Sequence, residues 1–381
     1  MGHAAHLGSS SRDQRTARVL ERARGLGFDL CGVAPAADFP ELAHLEDWLA
    51  RGHAGEMKYL HDARRRSPAR VLEGARSIVV GALNYNTAHP RSTEVPQQSP
   101  GDATPRGWIS RYAWGEEYHR VVGDKLEALV AALHQDFHEP FLARAYVDTG
   151  PVVERVAARH AGLGWLGKNT CLIHEDLGSC LFLGVIVTTL ELAASLGPAE
   201  SPPPDLCGNC RLCIEACPTG AIVEPYVLDA RRCIAYLTIE LRGAIPEELR
   251  VPLGRHVFGC DICQDVCPWN HRAPATEAAE FEPRRHDGKS LFAPDLEWLL
   301  SLAEDEFREV FRGSPLKRAK WRGLLRNVCV ALGNSGMQPT APRYNEICER
   351  LAQLAASSDD VLAEHARWAL GRLGAQKSRC T

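Results

Sequence analysis

Apolar positions along the first two hundred residues switch between two periods. Asp13 to Gly25 has helical spacing and ends at Gly25 and Gly27, residues that stop helices. Asp29 to Ala34 reads as a short strand and Ser77 to Leu83 as a buried one. Glu116 to Phe137 predicts an amphipathic helix, Phe141 to Val147 a strand, and Pro151 to Ala161 a helix with proline near its first turn. Leu181 to Leu190 is a further apolar strand. His89 to Gly107, rich in Pro, Ser and Thr, is expected to be a loop. Strands alternating with helices predict an α/β domain. Leu196 to Asp205 carries four prolines and reads as a linker. From about Leu291 onward the pattern is all-helical. Ala331-Leu332-Gly333 recurs as Ala369-Leu370-Gly371, 38 residues later, each copy expected to end a helix. That spacing suits a HEAT-type helical pair of ~40 residues, with a plain helical bundle as the alternative.

The chain has 381 residues, length for two or three domains at ~150 residues each. With 45% apolar and 24% charged residues it is neither disordered nor fibrous. The net charge of −4 leaves no global footprint of nucleic-acid binding, so any such surface is local. Glu306 to Arg326 supplies one candidate: Arg308, Arg312, Lys317, Arg318, Lys320, Arg322 and Arg326 stand against Glu306 and Glu309. Such a run is a phosphate-backbone surface or a solvated helix face. No window approaches the ~18 apolar residues of a membrane span. The polar N-terminus has no apolar signal core, so a cytosolic chain with reduced cysteines is expected.

Eight of the 14 cysteines lie between Cys207 and Cys267. Cys207, Cys210, Cys213 and Cys217-Pro218 have the C-x2-C-x2-C-x3-C-P spacing of bacterial ferredoxins, whose fourth cysteine serves the other cluster of a pair. Cys260, Cys263 and Cys267-Pro268 form a second run, with Val257 where its first cysteine belongs and Cys233 as the spare. Crossing both runs gives Cys207, Cys210, Cys213 and Cys267 to one four-iron cluster. Cys217, Cys233, Cys260 and Cys263 go to the other. Zinc prefers two separated pairs and fits four cysteines within eleven residues less well. The other six cysteines read as buried apolar thiols.

Asp148, in Tyr146-Val147-Asp148-Thr149-Gly150-Pro151, follows a strand and precedes a helix. An acid there donates a proton or caps the helix. The glycine-dense Ala161 to Thr170 matches no nucleotide motif; it would let a large flat ligand approach the backbone, with Lys168 and Asn169 at its polar rim, or it is a tight turn.

The chain resembles the epoxyqueuosine reductases, cobalamin-dependent iron–sulfur enzymes related to reductive dehalogenases. The strings that carry the resemblance are Gly55-Glu56-Met57-Lys58-Tyr59-Leu60, Gly74-Ala75-Arg76-Ser77-Ile78-Val79, Tyr112-Ala113-Trp114-Gly115 with Tyr118-His119, Val147-Asp148-Thr149-Gly150 and Gly167-Lys168-Asn169-Thr170. Arg232-Cys233-Ile234, the two cysteine runs and Phe258-Gly259-Cys260-Asp261-Ile262-Cys263-Gln264 complete them. The resemblance spans Gly25 to the C-terminal helices. It implies a multi-domain α+β chain: an α/β cobalamin-binding catalytic domain (1–200), a ferredoxin-like domain with two [4Fe-4S] clusters (201–280) and a HEAT-like tRNA-binding domain (281–381). It implies base-off cobalamin, with Asp148 as proton donor. By position Arg65, Ser110, Val153, Lys168, Leu172, Ser179, Ala235 and Asp261 correspond to corrin-contacting sites, several through backbone atoms. Arg242, Lys317, Arg318, Arg322 and Arg326 would face a tRNA anticodon stem-loop. The implied reaction reduces epoxyqueuosine to queuosine at the wobble position, in a monomer fed by an external electron donor. Cys180 departs from the family, which has an aromatic residue after Gly178-Ser179. A dehalogenase-like enzyme acting on a small molecule and a pure electron-transfer protein are the rival readings.

Overall fold

The computed structural model describes residues 3–95, 105–197 and 199–377. Residues 96–104 of the expected loop, Pro198 of the linker and Cys380 lie outside the described residues.

Four strands make the central sheet: β1 (Leu30–Pro35), β2 (Ser77–Asn84), β3 (Ala143–Tyr146) and β4 (Leu181–Thr188), ordered β1-β2-β4-β3. Every neighbouring pair is antiparallel. This corrects the expected α/β alternation. Helices do lie between strands, but β2, β4 and β3 run back against one another instead of crossing over in parallel. The sequence spacing of helices and strands is the same in both cases; only the pairing distinguishes them.

All eight residues of β2 are buried. Its side chains alternate between two cores, as a strand's period of two requires. Val79 and Leu83 join the core under helices α1 (His3–Gly25) and α2 (Tyr118–Asp136). Ile78 and Val80 join the core under α3 (Glu154–His160). On α2 the buried positions are Val122, Leu126, Leu129 and Leu133, one helical stripe, each stabilising by roughly 1.5–3 kcal/mol. Gly184 on β4 lets α2 approach: a Cβ there would lie 2.7 Å from both Val122 and Leu126.

Helices α4 (Lys320–Gly333), α5 (Tyr344–Ala355) and α6 (Asp360–Lys377) pack Leu324, Val328, Ile347, Leu351, Leu362 and Ala366 into a third core. That core also takes Ile109, Ala113 and Trp114, and Val257 and Phe258. His256–Phe258 pairs in parallel with Trp108–Ile109, which draws both segments in. One core therefore cuts across sequence boundaries at 200 and 280. The Ala-Leu-Gly repeat is also corrected. Gly333 ends α4, and a Cβ on it would meet Trp368 at 2.5 Å. The second triplet lies inside α6, which continues to Lys377, and a Cβ on Gly371 would meet nothing within 4 Å. Among the described residues no helix is long and apolar enough to cross a membrane.

Candidate active site and cluster-binding centre

Cys207, Cys210, Cys213 and Cys267 line one cavity of about 290 Å³, with Lys168 and Trp269. Burial raises the Cys213 thiol, and Cys207, Cys210 and Cys267 raise it further. Burial likewise raises Cys260, with Cys233 and Cys217 adding to it. Cys263 is raised by burial, then by Cys171, Cys260, Cys233 and Cys213. The cavity gathers Cys207, Cys210, Cys213 and Cys267, while Cys217, Cys233, Cys260 and Cys263 sense one another and Cys213. Four soft donors around a volume, not a point, fit a polynuclear iron–sulfur cluster.

Cys171 is the cysteine that its sequence position concealed. Its thiol is pushed up to about 11 by burial, and its charged neighbours include Cys267, Cys233 and Cys213. It is half-buried, and its thiol senses members of both sets. Cys329, by contrast, is fully buried in the helical core.

Asp148 follows β3 with φ 56°, a left-handed conformation that a non-glycine residue rarely adopts and that marks a constrained site. It is not the cap of α3, whose N-cap position is Val153. Tyr118 Oη donates to Asp148 Oδ2 at 2.7 Å, and His119 Nε2 lies 3.5 Å from the same oxygen. His119 Nδ1 is 2.7 Å from Glu117 Oε1, and Lys317 Nζ is 3.0 Å from Glu117 Oε2. Burial opposes ionisation of Asp148, but hydrogen bonds from His119 and Tyr118 hold its carboxyl below the usual range. Burial opposes the His119 imidazolium, but Asp148 and Glu117 raise it to about 9. Glu154 is pushed up to about 7 by burial and then by Asp148, and its Oε1 is buried without a hydrogen-bond partner. Tyr59 and Tyr112 also face Asp148. The Asp148 side chain is nevertheless 67% accessible. Around it stand the Tyr118 hydroxyl, the His119 ring and the Arg155 charge. The Arg155 charge favours ionisation of both Asp148 and Cys171, and its guanidinium donates to Thr170 O.

The residues expected around the corrin are dispersed along the chain but several meet. Ser110 Oγ hydrogen-bonds Asp261 Oδ1, and the Arg111 amide donates to Asp261 Oδ2 at 2.6 Å. Gln264 Nε2 donates to Ser179 O and Oγ at 3.0 Å. Arg65 is buried, donating to Val152 O at 3.3 Å beside half-buried Val153. Leu172 is buried in a short hairpin with Leu166, and Ala235 is half-buried on the helix Ile234–Ile239. Lys168 departs from expectation: its ammonium is engaged by the carbonyls of Gly208 and Cys210, the latter at 2.9 Å, so its side chain serves the cysteine loop. Cys180 is buried beside Gln264.

The basic stretch divides. Lys317, Arg318 and Arg242 are exposed. Arg318 pairs with Glu240 at 2.8 Å, and Arg322 pairs with Asp359. Arg326 corrects the expectation that it faces tRNA. It is 1% exposed and donates to the carbonyls of Leu237, Leu241 and Gly243 at 2.6–2.8 Å. It ties α4 to the end of the Ile234–Ile239 helix.

Two family models match the chain. One, described as "Epoxyqueuosine reductase QueG, DUF1730", covers residues 65–149; the other, "4Fe-4S double cluster binding domain", covers residues 206–270. An epoxyqueuosine reductase of Pseudomonas aeruginosa is 40% identical over 359 residues, 93% of this chain and 94% of that protein. One from Gloeobacter violaceus is 44% identical over 328 residues, 84% of this chain and 96% of that protein. The crystal structure of an epoxyqueuosine reductase with an epoxyqueuosine-modified tRNA-Tyr stem loop aligns with a TM-score of 0.82 at 30% identity, covering 95% of this chain and 90% of that one. With relatives of 40% and 44% identity matching it over most of its length, this chain belongs to the epoxyqueuosine reductase family.

Proposed function

We propose that this chain reduces the epoxide of epoxyqueuosine, at the wobble position of tRNA, to the cyclopentene of queuosine. The observation that carries the reading is Asp148, held by Tyr118 and His119 in a left-handed backbone conformation, together with the cavity that Cys207, Cys210, Cys213 and Cys267 line. Cys207, Cys210, Cys213 and Cys267 hold one [4Fe-4S] cluster in this reading, and Cys217, Cys233, Cys260 and Cys263 the other. Ser110, Val153, Leu172, Ser179, Ala235 and Asp261, with Arg65 and the Lys168 backbone, would hold cobalamin. When bound, it supplies low-valent cobalt chemistry toward an epoxide carbon, with single electrons supplied by the clusters and an external donor.

The chain's own residues position and protonate. Tyr118 and His119 hold Asp148 by Oδ2, and its carboxyl delivers a proton to the opening epoxide oxygen. Tyr59, Tyr112 and Tyr118 shield that oxygen from bulk water and offer faces to a base splayed out of an anticodon loop. Exposed Lys317, Arg318 and Arg242 meet the tRNA backbone, and the C-terminal helices act as a HEAT-like support. The enzyme works as a cytoplasmic monomer, with catalytic, cluster and tRNA-binding functions centred on residues 1–200, 201–280 and 281–381.

The test is anaerobic purification with added cobalamin, metal analysis and incubation with epoxyqueuosine-containing tRNA. About eight iron and one cobalt per chain, with loss of one oxygen from the nucleoside by mass spectrometry, is the expected result. Iron without cobalt and no conversion would leave an electron-transfer protein.

A further inference from the structure

We propose that His119, held in place by Glu117 and Lys317, reloads Asp148 with protons during turnover; the inference rests on Asp148 being the proton donor. Turning an epoxide into an alkene breaks two C–O bonds, takes up two electrons and two protons, and releases one water. The electrons come from the external donor of the proposed reaction. A single carboxyl carries one proton. One carboxyl therefore falls one proton short of each turnover, and the second reaches the reaction through a neighbouring group that can reload Asp148.

His119 is the group placed to supply it. Its Nε2 is buried with no hydrogen-bond partner and lies 3.5 Å from Asp148 Oδ2. A displacement of well under an ångström brings that pair to hydrogen-bond distance. Nδ1 is already bonded to Glu117 at 2.7 Å, which fixes the ring's orientation and favours the doubly protonated form. Lys317 on the other Glu117 oxygen keeps that carboxylate ionised. The His119 ring stacks on Tyr118, centroids 4.1 Å apart, so the ring plane is held as well.

The other groups around Asp148 are poorer sources. Tyr118 already donates to Oδ2, and burial and the Asp148 charge hold its hydroxyl far above its usual range. Arg155 and Arg318 are permanent cations. Glu154 carries a proton near neutrality, but its unpartnered Oε1 shows no hydrogen-bond route to Asp148. Among the described residues, His119 has the Glu117 carboxylate orienting its Nδ1 and Asp148 facing its Nε2. Acting through Asp148, it is a positioning and relay residue, not a catalytic one.

The experiment compares the full chain with its His119→Gln, Glu117→Gln and Asp148→Asn variants. In the unloaded protein, NMR titration of the His119 ring is expected to give a midpoint near 9, falling toward 6.5 in Glu117→Gln. In the loaded enzyme, His119→Gln is expected to lower kcat ~10–100-fold, with KM for tRNA and iron content unchanged. The alkaline limb of the wild-type profile near pH 9 should disappear, and added imidazole should restore part of the rate. His119→Gln turning over at the wild-type rate with its alkaline limb intact would overturn the relay. So would a His119 midpoint that Glu117→Gln does not move. Full activity in Asp148→Asn would instead overturn the donor assignment on which the relay rests.

Discussion

The cysteine segment and the basic stretch make an instructive pair. Both are dense runs of one chemical type, and both suggest a ligand from sequence alone. In the first, cysteines far apart in the chain end as spatial neighbours, with Cys267 beside Cys207, Cys210 and Cys213. In the second, Arg326 is buried against backbone carbonyls, Arg322 is paired with Asp359 and Arg318 with Glu240. The difference is one of range and donor type. A run of closely spaced thiols must turn about a common centre, so spacing carries geometry. An arginine has five donors and many possible acceptors, so its position in a run says nothing about which way it faces until its helix packs.

The largest effect that sharpens this contrast is on metal content and turnover. Cys233→Ser and Cys213→Ser each should reduce iron from about eight to about four per chain and abolish conversion of the modified tRNA. Cys171→Ser, although the thiol senses members of both sets, should keep about eight. A loss of iron in Cys171→Ser would redraw the ligand sets. Asp148→Asn should retain iron and cobalt and lower kcat by ~10²–10⁴-fold, read from single-turnover conversion.

Next in size is Arg326→Met. It leaves the carbonyls of Leu237, Leu241 and Gly243 without their donor, and should cost about 2–4 kcal/mol in urea unfolding. The salt dependence of tRNA binding should not change, because a buried guanidinium contacts no phosphate. A shallower salt slope with unchanged stability would restore Arg326 to the tRNA surface. Lys317→Ala and Arg318→Ala reverse the pattern: each should make the salt slope shallower by about 1 while shifting stability by no more than about 1 kcal/mol.

The smallest effect is a pH dependence of stability. The folded Glu154 carboxyl is raised to about 7, against 4.5 when unfolded. Between those values the folded chain binds more protons than the unfolded chain. Stability from this group is therefore complete below pH 4.5 and is lost as pH rises through 7. Glu154→Gln should remove that decline, measured as the difference between the variants' unfolding midpoints at pH 5 and pH 8. An unchanged decline would show that Glu154 ionises normally.

How much was legible differs by element. The strands Ser77–Asn84 and Leu181–Thr188 and the helix Tyr118–Asp136 lie within a residue or two of their periodic patterns, because each buries its apolar face. The start of α1 at His3 was not, since the residues before Asp13 carry no apolar stripe. Asp148 stood out beside a strand end, but its neighbours did not. Tyr118 and His119 belong to α2, Glu154 to α3 and Lys317 to a turn before α4, and no spacing links them. Lys168 read as a ligand-facing cation, and its engagement by the Gly208 and Cys210 carbonyls depended on how the cysteine loop closes.

By itself the sequence determined the local periods that make strands and helices, and the cysteine spacing that turns each run about a centre. These are short-range matters of which side chain can face which neighbour one turn or one residue away. Tertiary structure decided the antiparallel pairing of the sheet and the core that joins Trp114, Phe258 and the C-terminal helices. It also decided the ionisation of Asp148, His119 and Glu154, which follows from burial and from charges brought close by distant segments. A pKa depends on distance and dielectric, and neither exists until the chain has folded.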